Sequence, residues 1–593
     1  MRVADYIVNF LVNHGIKATY AITGRGALFL NDALAKNNEL TTFFPHHEQS
    51  AVYAACAAAD LTRKLQAVVV STGCASTNAV TGVLSAWQDH LPLIVISGQN
   101  TLDETTNYTE AKIRTYGQQE ADIIPIVKSI TKYAHMLTDA KEIRYHMEKA
   151  VFEASNGTPG PVWLDVPLDL QNAQVDEATL KGFKKPEQEY FVDKAGLHTI
   201  VEKLKYSSRP VFLIGSGIKV SNQASQLEKL SLQLNVPIVY SHSAVDCIPY
   251  DFCNTIGSIG SQGAMRSGAF AVQNADLVMV LGSRMNSLTT GPDGSKFARE
   301  AEVVVVGNDL EPHKANRINY TQEVKANISD FLGLLEKNLD QSSSDKSVWL
   351  AQCLQWKKKY GVTKEFVSTT ECVDLHEFAQ TLPNLMQKND IFVCDSGFID
   401  VIVPTNAPFK KGQRCIRPVS QGAMGFALPA VLGLAGNTSE TIYCVVGDGS
   451  IMFNLQELET LKRYNANVKI LVFVNDMYAV IKRRQNKLFR GRTIGVDSSS
   501  GLKAVKFDQI SAAFGIEYYS CDADNYEEII STNASKKGVQ LYEIPGKVDQ
   551  EYIEIYHAQT AKRKFVRRPL EDQKPFLSRE EFLGEMLITP IDQ

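Results

Sequence analysis

None of the ten cysteines stands in a C-x-x-C spacing, so neither a zinc knuckle nor a dithiol redox pair is indicated. Several, Cys394 and Cys444 among them, lie inside apolar, strand-like runs and fit small core positions. No run of about 18 apolar residues is present, which argues against a membrane span. An excess of basic charge is missing as well. A net charge of -5 and a pI near 6.2 offer no field for nucleic acid or an anionic membrane, so the expected substrate is small. There is no low-complexity tract and no exact internal repeat. Between Met1 and Gly15, the residues Val3, Tyr6, Ile7, Phe10 and Leu11 share one helical face with Asp5 among them. That pattern is an amphipathic opening helix, not a signal peptide, and the default location is the cytoplasm.

What the chain does have is strand–helix alternation in three blocks. A length of 593 residues suggests about three or four domains. The first block has strand-like runs at Thr41–Phe44, Ala67–Ser71, Leu93–Ser97 and Val162–Val166, with an Ala-rich helix over Ala51 to Leu65. A charged, aperiodic linker follows from about Gln171 to Asp193. The second block has Val211–Ile214, Ile238–Ser241, Leu277–Leu281 and Val303–Val306, and the polar run Asp340 to Lys346 marks its edge. The third has Ile391–Asp395, Thr441–Val446 and Lys469–Val474. Short apolar strands between helices predict an α/β fold of three doubly wound parallel-sheet domains. Their bounds are 1–170, 190–345 and 365–548, with an extension at 549–593 carrying Lys562, Arg563, Lys564, Arg567 and Arg568. That extension either folds over a neighbouring domain or is a solvated charged tail.

The most specific motif is Gly447-Asp448-Gly449-Ser450 after one strand and Asn475 after the next. This spacing places both side chains at the carboxyl ends of neighbouring strands, where open parallel sheets bind ligands. Mg²⁺ takes oxygen ligands in octahedral array and completes its shell with phosphates. Asp448 offers a carboxylate, Asn475 an amide oxygen and Met477 a main-chain carbonyl. The glycines admit a diphosphate close to the backbone, beside a helix expected to begin near Ser450.

The arrangement resembles the signature of thiamine-diphosphate enzymes. In the first block Pro45-His46-His47-Glu48-Gln49 resembles the His-Glu-Gln motif of acetolactate synthase and its relatives. The resemblance runs from about Val3 to at least Phe514 and makes the first domain pyrimidine-binding and the third diphosphate-binding. It gives Glu48 the catalytic role: a carboxylate bonded to the cofactor's pyrimidine favours the imino tautomer, which takes the proton from the thiazolium carbon. Without the resemblance, Glu48 reads as a helix-start carboxylate in the helix dipole. The resemblance further places Gly24, Gly26, Thr72, Asn78, Gln119, Ser396, Gly397, Gly422, Met424 and Tyr478 at the cofactor, with Met424 wedged between its rings. It implies a homodimer or homotetramer with active sites between chains. It also implies FAD in the central domain, at Gly215, Gly217, Gly260, Gln262, Gly263, Ser283, Arg284, Asn308 and Asp309.

The departures concern the second substrate. Acetolactate synthases carry a second arginine four residues after the one that Arg284 matches; here Leu288 stands there. Their acceptor-selecting tryptophan falls at Arg484, and the phenylalanine before Gln119 is replaced by Gln118. The Pro-Gly-Gly loop reads Thr23-Gly24-Arg25-Gly26. Arg25, Gln118 and Arg484 thereby become candidate substrate residues. The leading expectation is a carboligase that decarboxylates a 2-oxo acid, pyruvate, and adds the acyl unit to a bulkier, phosphate-bearing carbonyl acceptor. Sugar-branching enzymes acting on nucleotide-linked keto sugars, as in yersiniose biosynthesis, are of this kind. The alternatives are a true acetolactate synthase, a simple decarboxylase, and a flavin- or nucleotide-binding oxidoreductase built on the central domain.

Overall fold

A computed structural model describes every residue except 110, 187–193, 340–344, 364–365, 367–370, 504, 556, 560–564 and 592–593. The end of the charged linker, most of the polar run after Leu339, and Lys562, Arg563 and Lys564 lie outside the described residues.

Three six-stranded sheets follow one another along the chain. The first contains β1 (Ala18–Ala21), β2 (Thr41–Phe43), β3 (Gln66–Val70), β4 (Leu93–Gln99), β5 (Tyr133–Met136) and β6 (Val162–Pro167), ordered β2-β1-β3-β4-β6-β5. The second contains β7 (Pro210–Ile214), β8 (Ile238–Ser241), β9 (Thr255–Ile259), β10 (Leu277–Leu281), β11 (Glu302–Gly307) and β12 (Gln322–Lys325), ordered β12-β11-β10-β7-β8-β9. The third contains β13 (Ile391–Cys394), β14 (Arg414–Ile416), β15 (Ile442–Gly447), β16 (Val468–Val474), β17 (Glu517–Ser520) and β18 (Val539–Pro545), ordered β14-β13-β15-β16-β18-β17. Pairing within all three is parallel. The first and third sheets share one strand order, reversing between β1 and β3 and between β13 and β15. The central sheet has the other common doubly wound order. Among the described residues no helix is long and apolar enough to cross a membrane.

The first and third domains are joined through a common core. The Glu48–Thr62 helix is rich in Ala, the best helix former, and is capped by His47, whose Nδ1 accepts from the Gln49 N–H at 3.1 Å. It ends at Arg63 in the left-handed conformation. Its buried Ala face meets the apolar Ala427–Ala435 helix of the third domain, and both contribute to one cluster of buried side chains. The two helices approach so closely that a Cβ on Gly433 would stand 1.9 Å from the Ala54 carbonyl oxygen. Asn454 reinforces the junction, donating to Gln49 Oε1 at 3.2 Å and accepting from the Ser50 hydroxyl at 3.2 Å.

The extension folds over the central domain. Ile555, Leu570 and Phe582 are buried in the same cluster as Trp349 and Trp356 of the Ser347–Tyr360 helix, which packs on the central sheet. Glu571 accepts from Gln273 Nε2 at 2.6 Å and pairs with Arg299 at 2.7 Å. One short antiparallel pair, β19 (His557–Gln559) with β20 (Phe565–Arg567), lies within it.

Gly433→Ala should therefore force the two helices apart and destabilise the chain by about 1–3 kcal/mol. Thermal unfolding checks this; an unchanged melting temperature would show that the helices do not touch there.

Candidate functional site

The motif residues meet where expected, at the switch point between β13 and β15. A cavity of about 520 Å³ opens there, lined by Gly397, Gly422, Met424, Asp448, Asn475, Met477, Tyr478 and Arg484, with Gln262 reaching in from the central domain. Asp448 follows β15 directly. Its Oδ1 accepts from the Gly449 N–H at 2.9 Å, and its Oδ2 from the N–H groups of Asn475 at 3.2 Å and Asp476 at 2.7 Å. Burial pushes the carboxyl above its usual range, while these donors pull it down. Asn475 Oδ1 accepts from the Met477 N–H at 3.3 Å. The carboxylate and the amide oxygen are thus fixed by the backbone of two adjacent strand ends. Among the described residues no group of three His, Cys, Asp or Glu side chains gathers as a metal site. A cation here would use one carboxylate, one amide and a main-chain carbonyl, the donor set that suits Mg²⁺ when phosphate completes it.

The cradle fits a diphosphate. At Gly397, Gly422 and Gly447 a Cβ would meet nothing within 4 Å, so these positions face open space. Gly397 and Gly422 have φ of 120° and 58°, conformations that an L side chain rarely adopts. Gly449 serves another purpose: a Cβ there would strike the Tyr478 ring at 2.3 Å.

The helix expected near Ser450 is a correction. Residues Ile451–Asn454 form a single 3-10 turn, and regular helix begins only at Glu457. The Ser450 N–H is bonded to the Gly447 carbonyl at 3.1 Å and its hydroxyl to Asp395 at 2.7 Å, so neither is free for a phosphate. The helix start that does line the cavity is Phe398–Asn406, preceded by Ser396 and Gly397. Its first N–H groups have no intrahelical acceptor and are a place where an anion can bind.

Asp395, at the end of the apolar run that became β13, organises three loops. It is 1% exposed, accepts from the Ser450 hydroxyl, and takes the Gly425 N–H at 3.0 Å and the Ala427 N–H at 3.4 Å. Burial raises its pKa to about 7. Asn454 is a second residue the sequence hid: its amide donates to the Gly425 carbonyl at 2.7 Å, joining the Met424 loop to the start of the Glu48 helix. No local signal marks either one.

The residues assigned to the first domain gather at its own switch point, between β1 and β3. Glu48 is the first residue of its helix, 8% exposed, and accepts from Asn78 Nδ2 at 3.0 Å. Gly26 donates its N–H to the Ser71 hydroxyl at 3.1 Å, and a Cβ on Gly24 would stand 2.4 Å from that oxygen. The Thr72 hydroxyl donates to Gln99 at 2.6 Å. A Cβ on Gly73 would lie 1.8 Å from the Gln119 carbonyl oxygen, so this loop and Gln119 are in contact. Arg25 donates to Gln118 Oε1, which brings two of the three candidate substrate residues together. His46 pairs with Glu459, leaving both histidines before Glu48 with structural duties. None of these side chains lines the cavity of its own chain.

The residues expected at a flavin are engaged otherwise. The Gly215 and Gly217 N–H groups are bonded to the carbonyls of Leu281 at 3.0 Å and Gly282 at 2.9 Å. A Cβ on Gly215 would lie 2.7 Å from the Ser283 Cβ, so the two loops close the crevice between β7 and β10. Gly260 accepts from Gln573 at 2.9 Å, Gln262 pairs with Glu554, and the Gly263 N–H is bonded to Ile553 at 2.7 Å, all three partners lying in the extension. Arg284 turns to the Gln88 carbonyl at 2.5 Å and the Ser420 hydroxyl at 2.6 Å. Asn308 retains a buried Oδ1 without a partner, Asp309 is exposed, and the void beside Ser216 and Arg284 measures about 50 Å³. Cofactor pockets run to several hundred Å³. In this arrangement most of the nine residues spend their polar groups on the chain itself.

The raised Asp395 pKa has a measurable consequence. An unfolded Asp ionises near 3.8 and the folded one near 7, so the fold holds the proton more tightly. This contribution to stability is present below the unfolded value and is lost as pH rises through that window. Asp395→Asn can keep the Ser450 and Gly425 contacts and should flatten the fall in melting temperature between those two pH values. An unchanged slope would mean that Asp395 is ionised throughout.

Comparison with known proteins agrees with this geometry. The N-terminal TPP-binding domain of thiamine pyrophosphate enzymes matches residues 1–126, the central domain of those enzymes 197–335, and their C-terminal TPP-binding domain 395–544. The acetolactate synthase large subunit of Haemophilus influenzae is 27% identical over 507 residues, covering 82% of this chain and 85% of its own. The large subunit of Escherichia coli K12 acetolactate synthase isozyme 3 is 26% identical over 529 residues, 86% and 88% of the two chains. The chloroplastic acetolactate synthase of Arabidopsis thaliana is 26% identical over 501 residues, 82% and 72% of the two chains. With all three domains matched in order, the chain belongs to the thiamine pyrophosphate enzymes.

Proposed function

We propose that this enzyme is a carboligase: it decarboxylates pyruvate and transfers the acyl unit to a phosphate-bearing carbonyl acceptor, a nucleotide-linked keto sugar. The observation that carries the reading is the pairing of Asp448 and Asn475 at adjacent strand ends over a glycine-lined cavity. Thiamine diphosphate, when bound, supplies the carbon nucleophile and the electron sink for decarboxylation. Asp448, Asn475 and the Met477 carbonyl would hold Mg²⁺ there, the metal serving to neutralise diphosphate charge. The Phe398 helix start would receive phosphate charge, and Met424, which lines the same cavity, would pack against the cofactor.

Glu48 would hold and move the proton at the pyrimidine of the bound cofactor. It is buried, oriented by Asn78, and absent from the cavity of its own chain. A second copy of the chain therefore supplies it, making the working unit a homodimer or a tetramer of such dimers.

The acceptor side favours an anion. Leu288 removes a cation that a small carboxylate would need, and Arg484 puts one on the cavity wall. Acetolactate synthesis from two pyruvates is the second reading, favoured by the names of the relatives above. FAD has no step here; flavin retained through purification would mean that the Gly260–Gly263 stretch parts from the extension.

Two measurements test the reading. With pyruvate alone, little acetolactate should form, and a pyruvate-derived two-carbon branch should appear by mass spectrometry when keto sugar nucleotides are added. Efficient acetolactate formation would decide for the second reading. Glu48→Gln should leave thiamine diphosphate binding measurable and slow proton exchange at the thiazolium carbon by at least about a hundredfold; exchange at the wild-type rate would remove Glu48 from its role.

A further inference from the structure

The Ala479–Phe489 helix forms one wall of the cavity and has no fully buried side chain; only Ala479 and Val480 at its start pack against the core. From Ala479 to Arg492 the chain carries six cations, Lys482, Arg483, Arg484, Lys487, Arg490 and Arg492, and no acid. Beyond its first turn, such a helix stays in place only if other elements supply the counter-charge. Lys482 pairs with Asp497 at 2.9 Å. Arg483 pairs with Glu554 of the extension at 3.0 Å and lies over the Tyr552 ring at 4.6 Å, and Lys487 stands 3.5 Å from the same carboxylate. Glu554 is also main-chain paired with Gln262, another cavity residue.

Two cations line the cavity. Lys547 is ion-paired with Asp374 at 3.0 Å, whereas Arg484 has neither a hydrogen bond nor an ion pair among the described residues. The strut made by its neighbour Arg483 fixes the helix on which Arg484 is displayed. A planar guanidinium with no partner of its own, on a helix fixed in this way, can meet phosphate with two parallel N–H donors.

We propose that Arg484 is the anion subsite for a diphosphate-bearing acceptor, and that Glu554 and Tyr552 of the extension are positioning residues that hold it on the cavity wall through Arg483. This rests on the carboligase reading of the same cavity and adds the group that recognises the acceptor and the segment that sets it. The probe is uridine diphosphate, with inorganic pyrophosphate as a second arm. Both are titrated calorimetrically into enzyme saturated with thiamine diphosphate and excess Mg²⁺, at low and high salt.

Wild-type protein should bind uridine diphosphate in a salt-dependent manner. Arg484→Gln should weaken it by about tenfold or more. Glu554→Gln should weaken it by about threefold, with most of the loss restored in Glu554→Asp. Pyrophosphate binding that falls in parallel supports phosphate as the recognised group. No binding to the wild type, or equal binding by Arg484→Gln, overturns the subsite. A lower melting temperature in Glu554→Gln with unchanged affinity overturns the positioning role. Arg484-dependent binding in a protein that does not decarboxylate pyruvate would sink the carboligase reading and leave the subsite standing.

Discussion

Asp395 directly follows the first strand of the third sheet with its carboxyl shielded from water, and its donors come from the turn after β15 and from the segment that follows Met424. Leaving such a group without partners costs several kcal/mol, so the Ser450 hydroxyl and the Gly425 and Ala427 N–H groups cannot drift away cheaply. That cost stiffens the turn after β15 and the loop bearing Met424. Asp448 next door is treated in the same way, with main-chain donors on both oxygens. Two buried carboxyl groups therefore fix the strand ends and loops that line the cavity before any ligand arrives.

Much of this was legible in the sequence. The runs that became β3, β4, β7, β8, β10, β11, β13, β15 and β16 are continuous apolar stretches, and being buried on both faces leaves that mark. β12 and β17 were not legible, since Gln322–Lys325 and Glu517–Ser520 lie at sheet edges and are largely polar. The Gly-Asp-Gly-Ser…Asn motif revealed itself because one strand–helix–strand step fixes the distance between its parts. Asp395 and Ser450 are 55 residues apart, and nothing local says that one will donate to the other. The shared order of the first and third sheets was equally hidden: strand order is written in burial and connection length, not in repeated residues.

The central domain shows how a motif can be present and used differently. Its strand order is the one that opens a dinucleotide crevice between β7 and β10, and glycines stand at the expected places. Those glycines are needed for the approach of one loop to the other, and the Gly260–Gly263 stretch spends its backbone on the extension. A glycine signals close approach but does not name the approaching group; here it is protein. The extension, whose charge pattern left it open between tail and lid, proves to be a structural layer because Ile555, Leu570 and Phe582 are spaced to enter one apolar cluster.

The wall that carries Arg484 is attached to the rest of the cavity mainly by charge, while the sheets behind it are held by apolar packing. These two kinds of attachment respond to different variables. Hydration of ions weakens on heating, so ion pairs lose less with temperature than their strength at 25 °C implies, whereas dissolved salt screens these partly exposed ones directly. The cavity should keep its shape on warming until the core itself gives way, and a change of ionic medium should move this wall well before heat does.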